Sequence, residues 1–289
     1  MQSVLKTLYK HQHLDRHEAR EALAQLVSGQ SSETEVASFL TAFIMRQPGA
    51  QELMGFKDAM MDSCTRIDLQ TADDSVDLVG TGGDGKGTFN ISTLSGVVLA
   101  ACGVPVIKHG NYGSTSVSGS SDVLRHLGYR FSDRQEALQR QLDRTGFCFL
   151  HAPMFHPGMG RLSSVRKAMG VRNFLNTLGP LMNPAQPQAM LLGVSSVDQA
   201  RLYKYLLEQE DRCFTIVHAL DGYDEISLTG KTKIITANDE REATPQQLGF
   251  ECVRPEGLLG GHSIEAAGRI FLNVLMGKGT VTQINVVLA

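Results

Sequence analysis

Apolar residues recur along the N-terminal part of the chain with the spacing of amphipathic helices. One such run, at 31–49, opens with the capping-box pair Ser32 and Glu35, in which each residue can cap the other's backbone. The runs on either side have the same helical character. The pattern therefore predicts a small helical domain over residues 1–69.

Beyond residue 75 the pattern changes to short apolar runs that alternate with helical segments. Helical segments such as 91–103 and 196–209 separate the runs. This alternation is typical of an α/β domain with a mainly parallel central sheet and flanking helices. The runs that we interpret as strands cover 75–80, 104–110, 147–153, 189–194, 213–220 and 231–237.

One helical segment, 161–185, stands apart from this alternation, and we expect it to rejoin the first domain. The predicted division is then a helical domain of 1–69 and 161–185, and a larger α/β domain of 70–160 and 186–289. The apolar pattern is still running at the last residues, INVVLA, so a further helix is expected after them.

Charge and composition limit the class of ligand. The chain carries 27 Lys and Arg against 30 Asp and Glu, so it has no excess of cations to attract nucleic acid or anionic membranes. No apolar run reaches the roughly 18 residues of a membrane span, and the charged N-terminus is unlike a signal peptide. Five widely spaced cysteines without a C-x-x-C pair favour reduced thiols, and we expect a cytoplasmic protein.

A glycine-rich turn, GTGGDGKGTFNIST, follows the first predicted strand. Gly80, Gly82 and Gly85 give the G-x-G-x-x-G spacing of dinucleotide-binding proteins. Those proteins need an acidic residue about 20 positions further on to bind a ribose hydroxyl. No Asp or Glu occurs between Gly85 and Asp122, and the second predicted strand carries Lys108 instead. A cation at that place favours a phosphate ligand other than NAD.

The same turn nearly satisfies the P-loop pattern, but Gly87 stands where a hydroxyl should hold Mg²⁺. The remaining interpretation is an anion site made of backbone N–H groups, which closely spaced glycines allow to converge. Polar residues at the start of the next helix would add its positive end to the site. They are Asn90, Ser92 and Thr93.

A second polar loop, KHGNYGSTSVSGSSD, leaves the next predicted strand with Lys108, Asn111 and many hydroxyls and glycines. Two such loops at adjacent strand ends suit a ligand with phosphates at both ends. The alternative is two solvent-facing turns rich in glycine and serine. Further along, Asp224 and Glu225 follow the strand candidate 213–220, where carboxylates could hold Mg²⁺ beside a polyphosphate.

Taken together, GTGGDGKGTFNIST, KHGN…SSDVL, FLHAPMFHPGM, VRKAMGVRNFLNTLGPLMNP and DGYDEISLTG resemble the anthranilate phosphoribosyltransferases, in order and over essentially the whole chain. The resemblance implies the two-domain fold of the nucleoside phosphorylases and phosphoribosyltransferases, and a homodimer formed through the helical domain. It also implies a reaction of tryptophan biosynthesis, in which the amine of anthranilate displaces pyrophosphate from phosphoribosyl pyrophosphate. The implied cofactor is Mg²⁺, with about two ions per subunit.

The resemblance also implies a role for individual residues. Ser92, Asp224 and Glu225 would hold the metal, and Gly80, Asn111 and Arg166 would bind anthranilate. No residue is assigned as an acid or base, and Lys108 and the metal site would act electrostatically. The residues implied to bind phosphoribosyl pyrophosphate are Gly80, Gly83, Asp84, Thr88, Asn90, Ile91, Ser92, Thr93, Lys108, His109, Gly110, Asn111, Tyr112, Gly113, Ser114, Thr115, Ser116 and Ser120.

Several of these roles have alternatives. Asp84 is expected to order its loop or to accept from a ribose hydroxyl, because it cannot attract an anion. His109 could be a base or a structural imidazole, and His151 and His156 could line an aromatic pocket or lie in the core. Tyr112 stands where many members have Arg or Lys, which removes one cation near the substrates.

Two other functions remain as alternatives. A pyrimidine nucleoside phosphorylase would share the two-domain form, but the Asp224–Glu225 pair favours the transferase, because a metal is needed for the diphosphate. A non-catalytic relative that binds nucleic acid would need basic surface stripes, and the pI of about 6.3 argues against it.

Overall fold

The structure is a computed structural model and describes residues 1–113, 116–210 and 212–289. The helices are α1 Gln2–Tyr9, α2 Arg16–Ser28, α3 Glu33–Arg46, α4 Ala50–Asp62, α5 Ile91–Ala101, α6 Ser120–His126, α7 Gln135–Thr145, α8 Ala152–Phe155, α9 Pro157–Met169, α10 Leu175–Leu178, α11 Val197–Leu207, α12 Ile264–Leu275 and α13 Val281–Leu288. The strands are β1 Val76–Gly80, β2 Val106–Gly110, β3 Phe147–His151, β4 Ala189–Gly193, β5 Cys213–Ala219, β6 Thr232–Thr236 and β7 Glu240–Ala243.

The chain forms two compact units. The helical unit consists of Met1–Ile67 and Ala152–Pro184, and the α/β unit consists of Asp68–His151 and Ala185–Ala289. The second part of the helical unit, which we call the return segment, thus begins at residue 152 and not at the predicted 161. The reason is that β3 ends at His151 and the chain turns at once into α8, whereas the predicted strand ran on to 153.

The helical unit is held together by capped helices around an aromatic core. Ser32 and Glu35 form the predicted capping box at the start of α3. The rings of Phe39, Phe43, Phe56 and Phe174 pack with centroids 4.4 to 6.1 Å apart, mostly edge to face, which is a favourable geometry for aromatic pairs. Phe174 comes from the return segment, so this core joins both parts of the unit.

The α/β unit is built on a sheet in the order β3-β2-β1-β4-β5-β6-β7, as far as the described residues show. The strands from β3 to β5 are parallel, and β6 and β7 are antiparallel to their neighbours. The prediction of a small helical domain and a larger α/β domain with a mainly parallel sheet is confirmed. Within the described ranges, every helix is too short or too polar to cross a membrane.

Candidate active site

The carboxyl ends of β1 and β4 lie side by side, because the chain proceeds from β1 outward to β3 and then returns to β4. Open α/β sheets bind ligands at such a point. Gly80 and Gly193 end the two strands and are paired in register. A Cβ on Gly80 would lie 2.8 Å from Asp224 Oδ2, and one on Gly193 would overlap the Asp224 carbonyl oxygen. Glycine at both positions therefore lets Asp224 lie against the strand ends.

The glycine-rich loop after β1 folds against the same aspartate. The Gly82 N–H donates to Asp224 Oδ2 at 2.7 Å, and the Lys86 N–H donates to Asp84 Oδ1 at 3.0 Å. Asp84 thus closes a turn within the loop. Gly82, Gly83, Gly85 and Gly87 have φ between 62° and 76°, a region that residues with a Cβ rarely adopt.

Lys108 in β2 is buried and not exposed in the loop, with a relative accessibility of 2%. Its ammonium group donates to the Leu78 carbonyl and lies 3.4 Å from Ser92 Oγ. Burial lowers the pKa of Lys108, while the carboxylates of Asp77 and Glu225 raise it. The charge of Lys108 therefore acts on the site from its buried side, next to Ser92 and Glu225.

Asp224 and Glu225 place two adjacent carboxylates at this edge with little solvent around them. Burial raises the pKa of Asp224, and the nearby carboxylate of Asp84 raises it further. Burial and the charge of Asp224 raise the pKa of Glu225 to about 8, against the opposing effects of Lys108 and the Ser92 N–H. Acids that are buried together and repel one another are stabilised by a cation.

The donor set at this edge fits Mg²⁺, which prefers oxygen ligands and keeps some of its water. Across the described ranges, no group of three or more His, Cys, Asp or Glu side chains is arranged to hold a metal. A metal here would draw on the carboxylates of Asp224 and Glu225 and the hydroxyl of Ser92, and would complete its shell with substrate or water oxygens.

The loop after β2 is joined to the first loop and is closed at its base. Asn90 Nδ2 donates to the Ser118 carbonyl at 3.1 Å. The N–H groups of Gly113 and Gly119 both donate to Asp122 Oδ2, at 2.8 and 3.0 Å. Asp122 was not predicted as a site residue, although the first turn of a helix, where it lies in α6, is a favoured position for a capping acid. It fixes where the polar loop leaves and rejoins the unit.

Within the loop after β2, Asn111 is bonded to its neighbours in the loop. Ser120 Oγ donates to the Asn111 carbonyl at 3.3 Å, and Asn111 Oδ1 accepts from the Tyr112 N–H at 2.8 Å. Ser114 and Thr115 lie outside the described residues, and Ser116 lies beyond them on the same loop. Asn111 is therefore held by contacts within the loop.

Tyr112 takes part in an aromatic cluster within the α/β unit. Its hydroxyl accepts from the Arg125 guanidinium at 3.1 Å, and the guanidinium carbon lies 4.8 Å from its ring centroid. The other side of the cluster is His151, which stacks on Phe131 at 4.5 Å and lies 2.9 Å from Ser121 Oγ through Nδ1. Burial lowers the pKa of His151. The imidazole is therefore a packed, neutral group near pH 7.

Several of the other residues predicted to bind phosphoribosyl pyrophosphate lie in the packed part of the α/β unit. Ile91 and Thr93 are buried in the first turn of α5. His109 is buried, and its N–H donates to Asp77 Oδ1 at 3.3 Å. Gly110 ends β2, and Thr88 forms an isolated bridge with Leu259.

Arg166 and His156 belong to the helical unit, whereas Gly80 and Asn111 belong to the α/β unit. Arg166 lies on α9, is half-buried, and has its pKa lowered by burial. His156 Nε2 lies 2.8 Å from the Met182 carbonyl, and burial lowers its pKa. His156 is thus a core histidine of the helical unit.

Comparison with known proteins places the chain. The profile "Glycosyl transferase family, helical bundle domain" matches residues 2–64, and "Glycosyl transferase family, a/b domain" matches residues 72–289. The anthranilate phosphoribosyltransferase of Flavobacterium johnsoniae is 46% identical over 289 residues, which is 100% of this chain and 87% of that protein. The chain belongs to the anthranilate phosphoribosyltransferase family.

Solved members of the anthranilate phosphoribosyltransferase family have the same fold. The Thermus thermophilus enzyme superposes with a TM-score of 0.90 at 33% identity, covering 98% of this chain and 85% of that one. The Saccharomyces cerevisiae enzyme in complex with PRPP and Mg superposes with a TM-score of 0.89 at 28% identity, covering 99% and 85%. The family predicted from the sequence motifs is confirmed, and the roles of individual site residues stay predictions.

Proposed function

We propose that this protein transfers the phosphoribosyl group of phosphoribosyl pyrophosphate to the amine of anthranilate and releases pyrophosphate. The observation that carries the proposal is the junction of β1 and β4. There a glycine-rich loop, a helix N-terminus, the buried carboxylate of Asp224 and the partly buried Glu225 meet beside the ammonium group of Lys108. Such a site can hold a diphosphate together with a divalent cation.

The leaving pyrophosphate would bind to backbone N–H groups of the glycine-rich loop and the start of α5. The φ values of its glycines support this, because they turn successive N–H groups in ways that favour an anion site. Lys108 would contribute positive charge from the buried side. The loop from Asn111 to Ser120, which includes Ser114 and Thr115, would take the opposite end of the donor.

Ser92, Asp224 and Glu225 are the residues that would hold Mg²⁺, with about two ions per subunit. When bound, Mg²⁺ neutralises charge on a diphosphate and so makes it a better leaving group. The chain's part is to hold both carboxyl groups in place. The Ser92 N–H and Lys108 favour the ionised form of Glu225, but burial and Asp224 outweigh them and raise its pKa to about 8, so a bound cation would be needed to ionise it fully near pH 7.

Anthranilate needs positioning more than activation. Its aromatic amine is neutral at pH 7 and can attack an anomeric carbon without a strong base. This agrees with the packed states of His109, His151 and His156. Arg166 would bind the substrate carboxylate bidentately. Asn111 and Gly80 are the other two residues that we propose to bind anthranilate.

The helical unit would form a homodimer, and the protein would work in the cytoplasm. Exposed apolar side chains on the helical unit, such as Tyr9 and Met45, support a subunit contact there. The reduced cysteines support a reducing compartment.

The direct test is the loss of anthranilate fluorescence on mixing with phosphoribosyl pyrophosphate and Mg²⁺. We expect loss that needs all three components and releases pyrophosphate in equal amount. Phosphate-dependent cleavage of thymidine, with no change in anthranilate, would instead identify a nucleoside phosphorylase.

A further inference from the structure

Lys86 lies in the glycine-rich loop, and its ammonium group contacts other residues of the protein. Nζ donates to the Asp221 carbonyl at 2.7 Å and lies 4.6 Å from the ring centroid of Tyr223. A Cβ on Gly222 would lie 3.5 Å from Cε and 3.7 Å from Nζ, so the lysine runs close along this peptide. Gly222 has φ of 97°, which disfavours any larger residue there.

The segment that receives Lys86 is held firmly by its own contacts. The Ala219 N–H donates to the Tyr223 carbonyl at 3.1 Å, and the Leu220 N–H donates to the Lys231 carbonyl at 2.9 Å. The ring of Tyr223 is buried in the core of the α/β unit. Lys86 therefore contacts a fixed surface, and this surface immediately precedes Asp224 and Glu225.

The same two loops also meet through the bond from the Gly82 N–H to Asp224 Oδ2. That bond uses an oxygen of a carboxylate that we assign to the metal site, so a cation would compete for it. The Lys86 contacts use a main-chain carbonyl and an aromatic face, and neither is a candidate metal ligand. They can persist when the Asp224 carboxylate turns to a ligand.

We propose that Lys86 is a positioning residue that fixes the glycine-rich loop to the segment carrying Asp224 and Glu225, and that it does not bind phosphate itself. The inference rests on the proposed function for its kinetic consequence, but not for its structural one. A charged hydrogen bond and a cation–π contact hold the loop in the arrangement that a diphosphate and its cation require.

The structural consequence is tested by hydrogen exchange in the ligand-free protein. In Lys86→Met we expect amides of a peptide covering 80–90 to exchange about five- to tenfold faster, because opening of the loop loses these contacts. Lys86→Arg retains a cation and should keep slow exchange. The matched control Lys278→Met, at an exposed lysine, should leave this peptide unchanged.

The kinetic consequence is tested by steady-state assays with varied donor and Mg²⁺. Lys86→Met should raise both KM for phosphoribosyl pyrophosphate and the Mg²⁺ requirement about three- to tenfold, with a smaller change in KM for anthranilate. Tyr223→Leu should reproduce the effect and Tyr223→Phe should not, because phenylalanine keeps the ring. In the double variant Lys86→Met with Tyr223→Leu, KM for the donor should rise no further than in the more impaired single variant, because both substitutions remove the same contact.

Two results would overturn the proposal. One is unchanged exchange of the 80–90 peptide in Lys86→Met. The other is a raised KM for the donor in Lys86→Met but not in Tyr223→Leu, which would mean that Lys86 touches phosphate directly. If the wild type transfers no phosphoribosyl group but the exchange results hold, the function has failed and the role of Lys86 stands.

Discussion

At the scale of single residues, the site concentrates negative charge that the protein only partly balances. Asp84 raises the pKa of Asp224, both aspartates raise the pKa of Glu225, and the buried Lys108 opposes the rise at Glu225. A cation that binds here removes this repulsion. The carboxylates therefore cost stability in the free protein and contribute to binding when a divalent ion is present.

The double variant Asp224→Asn with Glu225→Gln tests this balance. It removes the negative charge without changing shape, so we expect kcat to fall about a hundredfold or more and the Mg²⁺ requirement to rise. The check is the rate of anthranilate consumption against Mg²⁺ concentration. Glu242→Gln, on the exposed edge strand β7, serves as the control. A wild-type Mg²⁺ dependence in the double variant would remove these residues from the metal site.

Arg166→Ala tests the proposed anthranilate contact. Loss of the guanidinium should raise KM for anthranilate at least about tenfold and leave KM for the donor nearly unchanged, because a bidentate carboxylate contact is lost. Lys167→Ala, at the exposed neighbouring position on α9, should change neither constant. Equal increases in both constants for Arg166→Ala would mean that the residue acts on folding or on the donor.

At the scale of elements, the glycines that end β1 and β4 decide whether the Asp224 loop can occupy its place. In Gly193→Ala the new Cβ overlaps the Asp224 carbonyl oxygen, so the loop must move. We expect a loss of about 1 to 3 kcal/mol in the free energy of unfolding and a large loss of activity.

The control for that substitution is Gly160→Ala in α9, where a Cβ would meet nothing within 4 Å. Alanine in a helix is favoured over glycine by about 1 kcal/mol, so this variant should be as stable as the wild type or more so. Chemical unfolding and initial rates measure both variants. Full activity in Gly193→Ala would show that the Asp224 loop is free to shift without loss.

Glu52 joins several elements of the helical unit. Its buried carboxylate accepts from Arg46 at 2.5 and 2.9 Å and from the N–H groups of Leu14 and Gly49 at 2.9 and 2.8 Å. Burial tends to raise the pKa of Glu52, but these hydrogen bonds outweigh it and the pKa is lowered from 4.5. The carboxylate therefore stabilises the fold fully above its unfolded pKa, and this contribution is lost as pH falls through the folded value.

Glu52→Gln should accordingly lower the free energy of unfolding at pH 7 by about 3 to 5 kcal/mol, because Arg46 loses its buried partner. The destabilisation relative to wild type should become smaller below pH 4.5, where the Glu52 carboxylate of the wild type also becomes protonated. Urea unfolding at several pH values measures this difference. A loss that is constant from pH 7 down to the acid limit would contradict the lowered pKa.

The sequence pattern predicted some elements better than others. Each predicted strand has a counterpart, because the parallel strands β1 to β5 are largely apolar runs and β6 is rich in β-branched residues. The edge strand β7 was missed, since EREA is charged, as edge strands often are. Helix α7 was also not assigned, because its sequence is mostly polar with two buried leucines, Leu138 and Leu142.

The candidate site was predictable only in part, for a similar reason. Glycine spacing and the Asp224–Glu225 pair pointed to an anion and a metal from local residue type alone. The burial of Lys108, the bonds of Asp122 to Gly113 and Gly119, and the contact of Lys86 with Tyr223 depend on residues that are distant in sequence. Local patterns carry no information on such contacts.

At the scale of the whole molecule, the proposed homodimer would form through the helical unit. Met45 is 79% exposed on the helical unit, so a charge introduced there should weaken an apolar contact without disturbing the core. We expect the wild type to sediment as a dimer and Met45→Lys to shift towards monomer. Val281→Lys, at an exposed valine of the α/β unit, should sediment as the wild type does. A monomeric wild type at micromolar concentration would contradict the homodimer.

In the proposed site, the glycine-rich loops and a divalent cation held by Asp224 and Glu225 would bind the donor's diphosphate together. Calorimetric titration of phosphoribosyl pyrophosphate into the protein tests it most directly. We expect saturable binding with Mg²⁺ that weakens about tenfold or more with EDTA or in the Asp224→Asn, Glu225→Gln variant. No saturable heat at millimolar donor, or equal binding with and without Mg²⁺, would contradict the account.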